Sequence, residues 1–440
     1  MSIINNKSKT VLKKIFLIVV FLVSGILQLN INNLLNDKIY ILLLLIINIF
    51  LIFNSRKAPF VMLFFLYLFG HTYVLSIPFF SNTMIAGIGS YNNKYLLLEV
   101  ARQLNLAFLV FIFLSLWISK SKKNLYIQDT IMLIKKKIKP NILISIISFI
   151  LCILFLMFVK TGNQNTGLVL ILFEYYFLLV VLFYLFSKQT TTTCFLIHFL
   201  LVSSSLKTLL NNGRIEFIIS MLLLFILFYE KKIHPIWIFS IFCLGLIFVE
   251  SYGILRNGND LSDLLNSKYF FDRNNPPAVI DSTEGYVIHS SMSMIGLIQD
   301  GYFSNSERII SFFKMLLLQF LPVGSLGNFS DASVTSYIQN FTTTLGGGLI
   351  FSQWYFWLNW KGILIISCII KYIFQKAYLT KNIFTGAFCI MSLCFFPRWL
   401  SYFSDYLIKI PFQVVVLLLA FSLINKMTNK ENVIGRMEEV

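Results

Sequence analysis

Residues 59–80 read PFVMLFFLYLFGHTYVLSIPFF, a run without a single aspartate, glutamate, lysine or arginine. Coiled as a helix rising about 1.5 Å per residue, it is roughly 33 Å long, enough to cross a hydrocarbon core of about 30 Å. Its apolar side chains lie all around the helix rather than along one stripe, so lipid suits it as a solvent and water does not. Runs of this kind recur along nearly the whole chain, which is 57% hydrophobic and 12% charged over 440 residues. The sequence therefore predicts an all-α fold, a polytopic integral membrane protein.

Working outward from 59–80, the hydrophobic runs predict spans near 15–31, 39–53, 95–118, 141–159, 168–186, 194–210, 215–229, 236–255, 357–374, 382–399 and 406–424. With 59–80 that makes about 12 transmembrane helices and leaves both termini on one side. The first run follows Lys7, Lys9, Lys13 and Lys14 and imitates a secretory signal, but no small-x-small cleavage site follows it. It reads as the first span. The chain divides into a membrane domain over 1–255, a large extracytoplasmic loop over 256–345, and the last three spans with a cytoplasmic tail over 346–440.

Charge sets the orientation. Residues 119–140 hold seven lysines and one acid, Asp129, and anchor that loop in the cytoplasm. Residues 256–345 carry five basic and eight acidic side chains, a local −3 in a chain of net charge +17, and belong outside. Positive-inside topology explains the excess of lysine, and no nucleic-acid partner is needed. Within the loop, RIISFFKMLLLQFLP (308–322) is short and interrupted by charge, and reads as a re-entrant or interfacial helix. The six cysteines lie in apolar runs without CxxC spacing, which indicates neither a disulfide framework nor a metal site.

Arginine departs from this pattern. The cytoplasmic side holds 20 lysines but two arginines, Arg56 and Arg436; Arg102, Arg214, Arg256, Arg273, Arg308 and Arg398 fall outside or within spans. An arginine near a span end can snorkel to the headgroups. Alternatively, its planar, permanently charged fork matches a phosphate better than lysine does. In LLNNGRIEFIIS (209–220) and the residues before it, Ser204, Lys207, Asn211 and Arg214 follow 3-4-3 spacing and would share one helical face. A polar stripe of this kind is expected to face a cavity. Asn212 and Gly213 read either as a helix break or as a plain turn between spans. Glu216 points away from Arg214 on a continuous helix and is expected to pair with another helix.

The order NNGRIEF (211–217), GILRNG (253–258), a large external loop, TTTLGGGLIFSQWYFWLNWKG (342–362) and FPRWLSYF (396–403) resembles the O-antigen polymerase (Wzy) family. The resemblance covers roughly residues 200–403. It implies a GT-C-like, metal-independent glycosyltransferase with no cofactor, in the bacterial cytoplasmic (inner) membrane with its active site facing the periplasm. Its substrate would be an undecaprenyl-diphosphate-linked oligosaccharide, and its partners membrane lipids and a chain-length regulator protein. Carried over by position, Arg214, Arg256 and Arg398 would contact the donor diphosphate, with Lys207 beside them. The Arg-x10-Gly pattern described for the family's outer loops is absent, because Ser267 and Glu284 stand where the glycines would follow Arg256 and Arg273.

In the implied reaction the diphosphate leaves, and fixed guanidinium groups stabilise the charge that builds on it. The acceptor hydroxyl must lose a proton to a carboxylate or imidazole within about 3 Å. His289 and Glu284, in EGYVIHSSMSM (284–294), are the first candidates, with Asp281 and Asp331 behind them. His71, His198 and His234 read as packing or interface residues. Trp354 and Tyr355, in a cluster with Trp357 and Trp360, read either as an interfacial belt or as part of a glycan path, since sugar C–H faces pack on aromatic rings. Two rival functions share the fold class: a lipid-linked oligosaccharide flippase and an O-antigen ligase. A nucleotide-sugar enzyme would need a soluble cytoplasmic domain, and no segment is long enough for one.

Overall fold

The computed structural model describes residues 17–29, 36–81, 83–85, 91–120, 125–159, 167–211, 214–242, 244–245, 279–280, 282–320, 332–344 and 347–437; side chains at 113–120, 167–174, 214, 279–280 and 427–437 are not described. Among these residues the protein is a helical bundle. Its helices are α1 (Leu17–Leu29), α2 (Asp37–Asn54), α3 (Pro59–Phe80), α4 (Lys94–Lys120), α5 (Ile127–Lys137) and α6 (Ile142–Phe158). Then come α7 (Gly167–Phe186), α8 (Thr191–Leu210), α9 (Arg214–Leu224, continued by a π-turn over Phe225–Tyr229) and α10 (235–242). The last group is α11 (Thr283–Gln299), α12 (Asn305–Leu318), α13 (Val334–Ile338), α14 (Ile350–Leu379), α15 (Ile383–Cys394), α16 (Phe396–Ser401) and α17 (Lys409–Met437). A two-residue parallel pairing, Met84 with Val279 and Ile85 with Ile280, is the strand structure present.

Among the described residues, six helical segments are long and apolar enough to cross a membrane: α2, α3, α8, α14, residues 94–112 of α4 and Ser404–Lys426, which takes in the start of α17. Shorter apolar helices stand at α1, α6, 175–186, 215–229 and α15. Polar side chains join the spans where two helices can satisfy each other, as lipid requires. Asn105 of α4 accepts from Ser24 Oγ at 2.8 Å and donates to Ser24 O and Gln28 Oε1 at 3.0 Å. Ser352 of α14 donates to Gln103 of α4 at 2.6 Å.

The lysine-rich connections share one end of the bundle. Leu125 N donates to Lys57 O at 2.9 Å, Asn141 N to Phe186 O at 2.9 Å, and Asn425 Nδ2 to Lys139 O at 3.0 Å. The amphipathic α5 lies across this end, burying Ile127, Ile131 and Ile134. Tyr126 at its N-cap makes no side-chain cap bond, and Glu230 takes that place from another helix, accepting from Gln128 N at 2.9 Å. A carboxylate there meets the positive end of the helix dipole. Burial nonetheless pushes the Glu230 pKa up to about 8 against the opposing effect of those amide donors.

At the opposite end, α11 and α12 fold back onto the spans, so part of the stretch expected as loop is packed helix. Gly285 through Leu297 of α11 are buried except for Tyr286. The 14 residues of α12 reach roughly 21 Å, short of a bilayer core. It opens with a capping box between Ser304 and Glu307 and lies against α14. Its other face exposes Ile310, Phe313 and Leu317. In the bundle centre, Phe64 of α3 meets Phe111, Phe374 and Phe396 with ring centroids 5.8, 5.1 and 5.8 Å away, tying α3, α4, α14 and α16 together.

Candidate functional site

Three breaks in helical backbone gather at the end of the bundle remote from the lysines: 347–349 ahead of α14, Asn359 within α14, and 402–404 after α16. Non-helical backbone inside a membrane protein must find partners in the protein. Gln353 supplies them, donating from Nε2 to Gly348 O at 2.7 Å and Tyr402 O at 3.0 Å and accepting from Ser404 N at 3.0 Å. Ser291 accepts from Leu349 N at 2.9 Å. The glycines of the TTTLGGGL run now have a reason. A Cβ on Gly347 would stand 2.2 Å from the Tyr402 Cα, and one on Gly348 would stand 2.8 Å from the Met294 Cε.

At Asn359 the chain adopts φ 53°, ψ −147°, a conformation that side-chain-bearing residues rarely hold. The break frees carbonyls of the preceding turn. Arg308 of α12 takes them up, donating from Nε to Phe356 O and from one Nη to Tyr355 O at 3.1 Å and Asn359 Oδ1 at 2.6 Å. The planar guanidinium holds its donors in a fixed fork that spans these acceptors. Gly362 completes the bend, because a Cβ there would lie 2.0 Å from Trp354 O.

Beside the 402–404 break, Arg398 of α16 donates to Glu216 of α9 at 2.6 Å, and their side chains are 8% and 5% exposed. The Arg398 guanidinium carbon stands 5.7 Å from the Tyr406 ring. The expectation that Glu216 pairs with another helix is met here. One turn further along α16, Ser401 Oγ lies 3.1 Å from His71 Nε2 and 3.2 Å from the Tyr67 hydroxyl. His71 Nδ1 sits 3.1 Å from Tyr67 O. A carbonyl only accepts, so Nδ1 carries a proton and, in the neutral ring, Nε2 accepts from Ser401.

The residues proposed from sequence are dispersed. Glu284 is partly exposed in the first turn of α11. His289, five residues on, is 1% exposed, and its Nε2 has no hydrogen-bond partner among the described residues. It stands on a buried helix, not on a solvated loop. Lys207 donates to Leu156 O and, at 2.5 Å, to Val159 O, so it caps the C-terminal end of α6. Ser204 of the expected stripe meets Ser220 of α9 at 3.0 Å, in a seam between helices, while Asn211 is exposed. Trp354 is 4% exposed, packed against Phe312 and Trp357, with no face open to a glycan. Tyr355 is half-buried against Trp360. Arg102 pairs with Glu99 at 2.5 Å. Arg214 opens α9, but its side chain, like Arg256, Arg273, Asp281 and Asp331, lies outside the described residues. Of the arginines expected outside or within spans, the three whose side chains are described, Arg102, Arg308 and Arg398, thus serve separate partners, and Arg398 lies one turn from the Ser401–His71 contact.

Ser401 has no signal in the sequence, and His71 reads there as a packing or interface residue. The signal for His71 was its place inside an otherwise apolar span, where a ionisable ring is a functional candidate by default. No group of three or more His, Cys, Asp or Glu side chains that could hold a metal occurs among the described residues. The chain matches no protein-family model, no curated protein and no solved structure.

Proposed function

We propose that this protein is a glycosyltransferase of the O-antigen polymerase type. It joins undecaprenyl-diphosphate-linked oligosaccharide repeat units on the outer face of the bacterial cytoplasmic membrane. The observation that carries this reading is the buried Arg398–Glu216 pair at the end of the bundle remote from the lysines, next to Ser401 and His71. A guanidinium held rigidly in a dry site needs no reorganisation when a leaving diphosphate gathers charge. The diphosphate would compete with the Glu216 carboxylate for the Arg398 fork, while the acceptor sugar hydroxyl gives up its proton nearby. Arg214 and Arg256 would complete the anion site by the same chemistry.

Deleting the gene and separating the surface glycan by gel tests the reading against its rivals. A polymerase leaves a single repeat unit on the acceptor lipid, a ligase leaves none attached, and a flippase leaves repeats trapped inside the cell. A full ladder in the deletion strain overturns all three.

A further inference from the structure

Where α11 ends, the chain turns through Gly301 at φ 77°. Gly301 N donates to Ile298 O and Tyr302 N to Leu297 O, both at 3.1 Å, the paired closure of a helix that stops on a left-handed glycine. The turn fixes Tyr302, which is 55% exposed and meets Phe341, 45% exposed, with ring centroids 5.7 Å apart and planes at 65°. Beneath them Phe303 is 5% exposed and holds Phe341 and Tyr337 at 4.9 Å and Phe356 at 5.0 Å. Two open rings therefore form a corner on a packed base. Asp300 stands two positions before Tyr302, so their Cα atoms lie within about 7.6 Å. Tyr91 donates to Asp300 Oδ2 at 2.8 Å and is itself buried against Gly296, where a Cβ would stand 2.1 Å from its ring. The other oxygen of Asp300 has no partner among the described residues.

We propose that this corner binds the oligosaccharide, with a sugar ring packed on Tyr302 and Phe341 and its hydroxyls donating to Asp300. This rests on the transfer reaction proposed above and puts the contact away from the bond that breaks. Sugar rings offer C–H faces to aromatic rings and hydroxyl donors to a carboxylate. A lipid surface fits less well, because aromatic anchors at a membrane interface come with lysine and arginine that meet anionic headgroups. Residues 299–300, 304–305 and 339–340, which flank the two rings, are exposed and polar, and they include one acid and no base. The corner is joined to the candidate site through α13. Its Tyr337 packs on Phe303 and Phe341, and its Thr335 donates at 3.1 Å to Tyr402 O, the carbonyl that Gln353 also holds. A glycan seated here is gripped on the frame that carries Arg398, and binding energy gained at a distance positions its reacting end.

The test uses full-length protein in nanodiscs and, as probe, the free oligosaccharide that mild acid releases from the lipid-linked repeats of the deletion strain. Saturation-transfer NMR on the sugar ring protons reads binding, and chain growth is followed on the intact lipid-linked repeats. Tyr302→Ala is expected to weaken oligosaccharide binding about three- to tenfold and to raise KM for the lipid-linked repeat more than it lowers kcat. Tyr302→Phe, which keeps the ring, recovers most of both. Asp300→Asn, which still accepts from Tyr91, weakens binding about threefold. Tyr302 is exposed, so unfolding temperatures of its variants match the wild type. Wild-type binding and KM in Tyr302→Ala, or a Tyr302→Phe no better than Tyr302→Ala, overturns the corner alone. So does a Tyr302→Ala protein that binds the sugar normally but is lost from the membrane fraction, as a lipid anchor would be. Binding that Tyr302→Ala weakens, with no polymer from the wild type, overturns the transfer reading and leaves the glycan site standing.

Discussion

Arg398 and Glu216, 182 positions apart in sequence, meet at 2.6 Å inside the bundle and join α16 to α9. Removing one partner strands the other as a buried charge, which costs about 3–5 kcal/mol, whereas replacing both with apolar groups is often neutral. Glu216→Ala is thus expected to lower the unfolding temperature of the purified protein sharply, and the double change Arg398→Met with Glu216→Leu to restore most of it. The restored protein is still expected to make no polymer, because the Arg398 guanidinium is missing from the anion site. Long glycan chains from the double variant would remove Arg398 from the mechanism.

Arg398→Lys keeps the charge and loses the planar fork. At normal membrane abundance it is expected to lose most chain growth while keeping the ion pair to Glu216. Surface glycan from a deletion strain carrying this variant, resolved by gel, gives the answer. Ladders of wild-type length would show that a point charge suffices.

The site's backbone also makes a demand that sequence composition conceals. A methyl on Gly347 collides with the Tyr402 backbone, and one on Gly362 with Trp354 O, while Gly25 and Gly70 have nothing within 4 Å of such a methyl. Gly347→Ala and Gly362→Ala are expected to lose folded protein. Gly25→Ala and Gly70→Ala should be tolerated or slightly stabilising, since alanine favours helix over glycine by about 1 kcal/mol. Gel-filtration profiles in detergent distinguish the pairs, and equal yields from all four would contradict the close approaches.

Hydrophobic runs located the helices well because in lipid a span has to be apolar over its length. The expected 141–159 became Ile142–Phe158, and 59–80 was reproduced to the residue. The failure at α11 has a physical cause. Its serines look hydrophilic in sequence, yet Ser291 donates to Val287 O and Ser293 to His289 O, four residues back in each case. Hydroxyls satisfied within their own helix no longer resist burial. Periodicity likewise could put Ser204 and Lys207 on one face but could not choose what they meet, and each found a neighbouring helix instead of a cavity. Glu216 was recognised as unpaired locally; its partner, lying across the fold, was not legible.

The lysine-rich end offers a pH test of its own. Burial raises the Glu230 pKa to about 8, opposed by the backbone amides that begin α5. A carboxyl whose folded pKa lies above its unfolded value of about 4.3 binds its proton more tightly in the folded state. Its contribution to stability is therefore complete below that unfolded value and is lost as pH rises through about 8. Wild-type protein is expected to unfold at a temperature several degrees lower at pH about 8.5 than at about 5.5. Glu230→Gln keeps an oxygen to accept from Gln128 N, carries no charge to desolvate, and should flatten that difference. An equally steep dependence in Glu230→Gln would assign the effect to other groups.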